Sequence, residues 1–185
     1  MFKNTGSKWG IVAQSLHWLV FLIFVNQFVT AEVMMDLAAH EAALGFGKWA
    51  LYGFHKSVGV VLLLLVFLRI TWRLYSPAPK DIETNSPVEN KLAHTMHFAL
   101  YLVMLAFPLS GYVMSMAGGH GISVFGLFDL PNFIGLNKEL GGLAHSVHGI
   151  AGLVAYVLVG LHVLAALKHH FITKDSTLRR MLPWG

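Results

Sequence analysis

The stretch His145–Phe171, HSVHGIAGLVAYVLVGLHVLAALKHHF, is apolar enough to cross a bilayer yet carries histidines at both ends. About 20 predominantly apolar residues span the hydrocarbon core, and an imidazole inside such a segment is costly enough to mark a functional site by default. His148 and His162 lie 14 residues apart, about 3.9 helical turns, so both leave nearly the same face, roughly 21 Å apart along the axis. One helix face thus holds two candidate ligands at two depths. Imidazoles of neighbouring helices can hold a porphyrin iron between them, so this helix reads as the shared wall of two haem sites, one near each membrane surface. His145, about 4.7 turns before His162, points roughly a quarter-turn away and is the weaker candidate. Gly152, beneath His148 on the same face, and Gly149 and Gly160 either make room for a flat macrocycle or let helices pack closely.

Composition points the same way. The 185 residues are 56% hydrophobic and 12% charged, with a mean hydropathy of +0.62, far more apolar than a soluble domain of this size. Residues 1–185 are expected to form one all-α integral membrane domain, a four-helix bundle with spans at about 11–31, 50–72, 92–116 and 145–168. With no cysteine in the chain, a disulfide framework, thiolate chemistry, iron–sulfur ligation through cysteine and covalent haem attachment through C-x-x-C-H are excluded. Any haem is then b-type, held without a covalent bond to the chain. The sequence pI near 9.4 comes from basic residues flanking the spans, the pattern of membrane topology and not of a nucleic-acid partner.

Along the chain, His17 sits six residues inside the first span. The length of that span, its histidine and the lack of a small-residue cleavage motif speak against a cleaved signal peptide. In the connection Glu32–Trp49, LAAHEAALGFG is expected to form a short helix at the membrane interface. His55 stands about one turn inside the second span, with Gly59 four residues on, repeating the His148/Gly152 arrangement. The Pro-rich connector SPAPKDIETNSPVENK reads as an exposed loop. The third span opens with His94 and His97 and contains Pro108, expected to kink it. Gly118–Leu140 is a Gly-rich loop, and KHHFITKDSTLRRMLPWG is a basic tail at the membrane surface.

Ten of the 13 Lys and Arg residues fall in the N-terminus, the second connector and the C-terminus, and only Lys48, Lys56 and Lys138 fall in the other two connectors. This asymmetry places both termini in the cytoplasm. His17 begins an outward helix and His162 ends an inward one, so both lie at cytoplasmic depth; His55 and His148 both begin inward helices, so both lie near the outer surface. The four sort into two pairs. His94 and His97 share the cytoplasmic depth, and spacing alone leaves either as an alternative partner of His162. His94, His97, His169 and His170 are either interfacial residues bonded to water and head groups or, with Arg69 and Arg73, donors to the carbonyls of a quinone. Arg69, Arg73 and Lys56 either neutralise haem propionates or anchor the helices at the membrane surface.

SLHWLVFLIF (15–24), FLRITWRLYSPAP (67–79), LAHTMHFALYLVMLAFPLSGY (92–112) and GLHVLAALKHHFITKDSTLRRMLP (160–183) resemble the bacterial cytochrome b561 family, four-helix di-haem proteins related to hydrogenase cytochrome b subunits. The resemblance covers all four spans and the tail. It implies that His17, His55, His148 and His162 are the axial ligands of two b haems, and that His94 and His97 are not. It also implies a protein of the bacterial inner membrane with a quinone as partner and, for stand-alone members, oxidation of superoxide at the outer surface with electrons passed to ubiquinone. The outer connectors Glu32–Trp49 and Gly118–Leu140 carry no such likeness.

The expected function is therefore one-electron transfer from an outer donor, superoxide by resemblance, to ubiquinone. Two other readings are a cytochrome b anchor for a hydrogenase or formate dehydrogenase type complex, and a histidine-lined transporter without redox chemistry. Purification would separate the first, through a stoichiometric peripheral partner, and an absorption spectrum the second.

Overall fold

A computed structural model of the chain describes residues 1–43, 45–82 and 85–184. Four helices carry the fold: α1 (Ile11–Asp36), α2 (Lys48–Tyr75), α3 (Pro87–Ala117) and α4 (Lys138–Lys168). All four are long and apolar enough to cross a membrane, and together they make the four-helix membrane bundle expected from composition.

Which face of each helix turns inward follows from side-chain size. On α4 the buried positions are Gly141, Ala144, Ala151, Gly152 and Ala155, while Leu143, Val147, Ile150, Leu153, Val157, Leu161 and Leu164 are exposed. In a membrane the large residues gain nothing by leaving the lipid, so the small face packs, because it lets a neighbouring backbone approach. His148 and His162 stand on that small face. Gly141 shows how close the approach is, since a Cβ there would come within 3.0 Å of the Gly118 backbone nitrogen. On α1, Gln14, Val20, Phe24, Gln27, Thr30 and Met34 are buried and Leu19, Leu22, Val25 and Val29 face outward. The core at mid-bundle joins all four helices through Val20, Phe24, Leu62, Val66, Phe107, Ala151 and Ala155.

The helices outrun the expected spans at most ends. α3 starts at Pro87 because Ser86 and Glu89 form a capping box, with the Ser86 hydroxyl accepting from the Glu89 amide at 3.2 Å and the Glu89 carboxylate accepting from the Ser86 amide at 3.0 Å; each such cap satisfies amides that the helix leaves free. Pro108 lies inside α3, and the helix continues through it. Residues 83 and 84 of the Pro-rich connector lie outside the described residues.

The interfacial helix expected in LAAHEAALGFG is not formed. α1 takes the chain out to Asp36, and β1 (Ala42–Ala43) pairs antiparallel with β2 (Phe46–Gly47) about Gly45, whose φ of +80° is a conformation open to glycine. The Gly118–Leu140 loop also folds, as β3 (Ser123–Val124) paired with β4 (Phe128–Asp129). Ile122 and Val124 pack with Met116 into a second apolar cluster, and the Ser57 hydroxyl ties this hairpin to α2, accepting from the Phe125 amide at 2.9 Å and sharing its proton between the carbonyls of Gly53 at 2.8 Å and Ser123 at 3.1 Å.

At the opposite end, a π-helical turn (His169–Thr173) and the left-handed Lys174 (φ 59°) reverse the chain after α4. The tail then folds back against α1. The Trp18 indole donates to the Met181 carbonyl at 2.9 Å, and the Gln14 amide donates to the carbonyls of Arg180 and Leu182 at 3.2 and 3.3 Å. Asn4 fastens the N-terminal segment in the same place, donating to Ser76 and Pro77 carbonyls and accepting from the Gly10 amide.

Two glycines should respond oppositely to alanine. A Cβ at Gly10 would lie 2.3 Å from the Phe2 carbonyl oxygen, whereas one at Gly142 would meet nothing within 4 Å. Gly10→Ala should lower stability by about 1–3 kcal/mol, as overpacking does. Gly142→Ala should raise it by about 0.5–1 kcal/mol, the helix preference for Ala over Gly. Thermal unfolding of the detergent-solubilised protein reads both.

Candidate functional site

Four helices bring imidazoles together in two places. At the end of the bundle holding both termini, His17 of α1 and His162 of α4 face one another with ring centroids 6.1 Å apart and planes at 52°. At the other end, His55 of α2 and His148 of α4 stand 6.5 Å apart at 86°. With a metal–imidazole bond of ~2.0 Å and a ring centroid about 1.2 Å behind the ligating nitrogen, imidazoles on opposite sides of one metal have centroids roughly 6.4 Å apart. Both pairs match that spacing. Among the described residues no group of three or more His, Cys, Asp or Glu could hold a bare metal ion, so a two-imidazole site suits a metal whose other ligands come from a macrocycle.

At the His55/His148 pair, the hydrogen bonds define which nitrogen is free. His148 Nδ1 lies 3.0 Å from the Phe107 carbonyl oxygen, which can only accept, so Nδ1 carries the proton and Nε2 keeps its lone pair. The Ser110 hydroxyl donates to the same carbonyl at 2.8 Å. His55 Nδ1 is 3.2 Å from Thr30 Oγ1, whose own proton goes to the Asn26 carbonyl at 2.8 Å, so His55 donates and again presents Nε2. Such partners fix the tautomer and orientation of a metal-binding imidazole. The pocket between these rings is small, about 50 Å³. Phe107 stacks on His148 with centroids 4.5 Å apart, and a Cβ at Gly111 would come within 3.0 Å of the His148 ring.

The His17/His162 pair opens onto a cavity of about 350 Å³ that also takes in His97, Arg69, Arg73, Trp72 and Thr177. Here Arg69 donates to His17 Nδ1 at 2.9 Å, its guanidinium 5.7 Å above the Tyr101 ring, and Arg73 lies 5.1 Å above the Trp9 ring. Arg69 Nε, Trp72 Nε1, Arg73 Nη1 and Thr177 Oγ1 are buried without a hydrogen-bond partner, and all four residues line this one cavity. Orphaned donors in a native interior call for an explanation. Anionic groups of a bound cofactor supply one, so the residues present fit a haem with its two acidic side arms.

The other sequence candidates separate. His97 is in the cavity, 5.6 Å from His162 by centroid and at 67°. His94 is outside it, 3.1 Å from Asp81 on the exposed surface, and His145 is exposed. His169 binds Asp175, and His170 lies edge-on to Phe171; neither lines the cavity. Burial opposes ionisation of Asp175, but hydrogen bonds from Thr177 and His169 outweigh it and hold the carboxyl below its ordinary range. Gly59 and Gly152 sit against the Gln27 amide and the Phe107 ring respectively, while Gly149 and Gly160 face open space. At the far end, Lys56 donates to the carbonyls of His120 and Gly121 at 3.4 and 3.2 Å and Lys48 to that of Leu37 at 2.6 Å. Thr30, Ser110, Gly111, Trp72 and Thr177 escaped the sequence reading; only the Ser110–Gly111 pair after Pro108 carried a signal, as a polar and a missing side chain within a span.

Comparison with known proteins agrees with this geometry. The family model for prokaryotic cytochrome b561 matches residues 8–184. Cytochrome b561 homolog 2 of Escherichia coli (strain K12) is 36% identical over 181 residues, 98% of this chain and 94% of that protein. The probable superoxide oxidase CybB of Yersinia pestis is 31% identical over 176 residues, 95% and 96% of the two chains, and cytochrome b561 homolog 1 of Escherichia coli (strain K12) is 30% identical over 173 residues, 91% and 93%. The chain belongs to the prokaryotic cytochrome b561 family, multi-pass electron-transfer proteins of bacterial membranes that bind haem b.

Proposed function

We propose that this chain carries single electrons across the inner membrane from superoxide at the outer face to ubiquinone on the cytoplasmic side, using two b haems. The observation that supports it most is the two imidazole pairs at 6.1 and 6.5 Å, both sharing the small-residue face of α4. His17 and His162 hold the inner haem, His55 and His148 the outer. Haem b, when bound, would supply one-electron chemistry, and holding its iron by two imidazoles would disfavour oxygen binding. Two superoxide anions oxidised to O2 release the two electrons that, with two protons, convert ubiquinone to ubiquinol.

The chain's own residues do the rest. The Phe107 carbonyl and Thr30 hydroxyl keep the outer imidazoles in the Nδ1–H form, which leaves Nε2 as the nitrogen that would bind a metal. Arg69 cannot stay as it is, since a guanidinium only donates and its bond to His17 Nδ1 leaves the proton on Nε2. For His17 to offer Nε2 to a metal, Arg69 would have to release Nδ1, and its unpartnered Nε, at the same cavity, would then be available to hold an acidic arm of a bound haem. Phe24, Phe28 and Phe107, packed with centroids about 6 Å apart, fill the space between the two depths and exclude water. Of the quinone-site candidates, His97, Arg69 and Arg73 line the inner cavity, and His94, His169 and His170 do not. Superoxide as donor is supported by the name of the Yersinia pestis relative and by Lys56, which follows the outer ligand His55 and lines the same pocket.

The purified protein should contain two low-spin, six-coordinate b haems. His17→Ala and His162→Ala should each lose the same one, and His55→Ala and His148→Ala the other. Loss of a haem in His97→Ala with both retained in His17→Ala would reassign the inner pair. Gly111→Leu, which forces a side chain against His148, should remove the outer haem alone.

The donor is tested by superoxide-driven haem reduction across a salt series. Steering by Lys56 predicts slower reduction and a flatter salt dependence in Lys56→Glu at unchanged haem content, since charges beyond a Debye length of ~10 Å at 0.1 M salt are screened. Lys48 and Lys138 share the outer side with five carboxylates, Glu32, Asp36, Glu41, Asp129 and Glu139, so their charge reversals should have smaller effects. No superoxide-driven reduction in the wild type, together with a co-purifying stoichiometric iron–sulfur protein, would make the chain an enzyme anchor instead.

A further inference from the structure

The inner cavity is closed on one side by a segment that is not part of the helical bundle. After the reversal at Lys174, the tail brings Thr177, Leu178 and Met181 to the cavity wall. It is held by contacts that a merely trailing terminus does not make. The Trp18 indole, next in sequence to His17, donates to Met181, the buried Gln14 amide donates to Arg180 and Leu182, and the Arg180 guanidinium donates to the Ser7 and Lys80 carbonyls. His169 and Asp175 pair beneath it, the Asp175 side chain only 6% exposed, and Asp175 accepts from the Thr177 amide at 2.7 Å. The backbone of Thr177 is thereby fixed while its hydroxyl, buried at the cavity and close to the Asp175 carboxylate, makes no well-formed hydrogen bond. The other unpartnered donors at the same cavity, Trp72 Nε1, Arg69 Nε and Arg73 Nη1, come from α2.

We propose that Thr177 and Trp72, with Arg69 and Arg73, form a carboxylate-binding set that takes the acidic arms of the inner haem, so that the C-terminal tail is a wall of the cofactor site. This rests on a haem standing between His17 and His162. Two cations and two neutral donors, each with one buried polar atom that lacks a hydrogen-bond partner, match two carboxylates in charge and in their demand for hydrogen bonds, and charge-assisted bonds of this kind are the strong ones. Bundle and tail then depend on each other, because the tail completes the site and the bound carboxylates hold the tail.

The test is the rate at which the purified holoprotein gives up each haem to excess apomyoglobin, with the inner haem identified as the spectral component missing in His162→Ala. Thr177→Val, which keeps the shape and removes the hydroxyl, and Trp72→Phe, which removes the indole N–H, should each release the inner haem roughly tenfold faster, the effect of losing one hydrogen bond to a charged group, and leave outer-haem release unchanged. Thr177→Ser should restore the wild-type rate, which a structural role for the threonine methyl would not. Trp18→Phe, loosening the tail without touching the donors, should also speed inner-haem release. Unchanged rates in Thr177→Val and Trp72→Phe overturn the proposal. So does loss of co-purifying anionic phospholipid from these variants at unchanged haem release, which would assign the donors to a lipid phosphate. Retention of both haems in His17→Ala and His162→Ala would instead refute the haem assignment beneath it.

Discussion

An imidazole inside the hydrocarbon layer has no water to bond, so each of its nitrogens must find a partner within the protein. In this chain one nitrogen is answered by the bundle itself. The Phe107 carbonyl takes the proton of His148 Nδ1, and Thr30, anchored to its own helix, takes that of His55. That leaves Nε2 of each of these two rings with its lone pair, whereas at the other end Arg69 occupies Nδ1 of His17. Most other features of the fold follow from keeping those rings in place. Glycine and alanine on α4 let the neighbouring helices approach closely enough for opposed imidazoles, and the large aliphatic residues of α4 are left to the lipid.

The two ends of the bundle meet this constraint differently. The His55/His148 end is tight, with Phe107 stacked on His148 and Gly111 pressed beneath it, and it is roofed by the β3–β4 hairpin tied to Ser57. The His17/His162 end is roomy, cationic and rich in unpartnered donors, and it is walled by the returning tail. A buried arginine without an anion is expensive, and Arg69 and Arg73 each keep a buried N–H without a partner, so the inner end is the one that the proposed haem would complete.

Much of this was legible in the sequence because membrane segments leave little choice. Long apolar runs in a chain with 12% charged residues fix four spans, and the 14-residue spacing of His148 and His162 puts both on one helix face whatever the rest of the chain does. The resemblance to the b561 family was carried by motifs in every span and was matched by the comparisons. The connectors were less legible. The alanine-rich LAAHEAALGFG has helix propensity, but glycines at 45 and 47 and the extension of α1 leave a hairpin too short for an interfacial helix. Thr30, Trp72 and Thr177 were illegible for another reason. Their roles depend on contacts between helices distant in sequence, and a threonine or tryptophan in an apolar run has no pattern that separates a partner of histidine or a cofactor donor from ordinary packing. The connector SPAPKDIETNSPVENK reads as an exposed loop, but its last residues hold a Ser86-x-x-Glu89 capping box that starts α3 five residues before the expected span.

Whether each imidazole pair holds one haem is read by low-temperature electron paramagnetic resonance of the oxidised protein. Axial imidazole planes near perpendicular give a more anisotropic low-spin ferric signal than planes closer to parallel. With ring planes at 86° in the outer pair and 52° in the inner, a haem held by each pair should give two low-spin signals of unequal anisotropy, the more anisotropic one absent in His55→Ala and the other absent in His17→Ala. A single low-spin species, or a high-spin five-coordinate signal in the wild type, would contradict it.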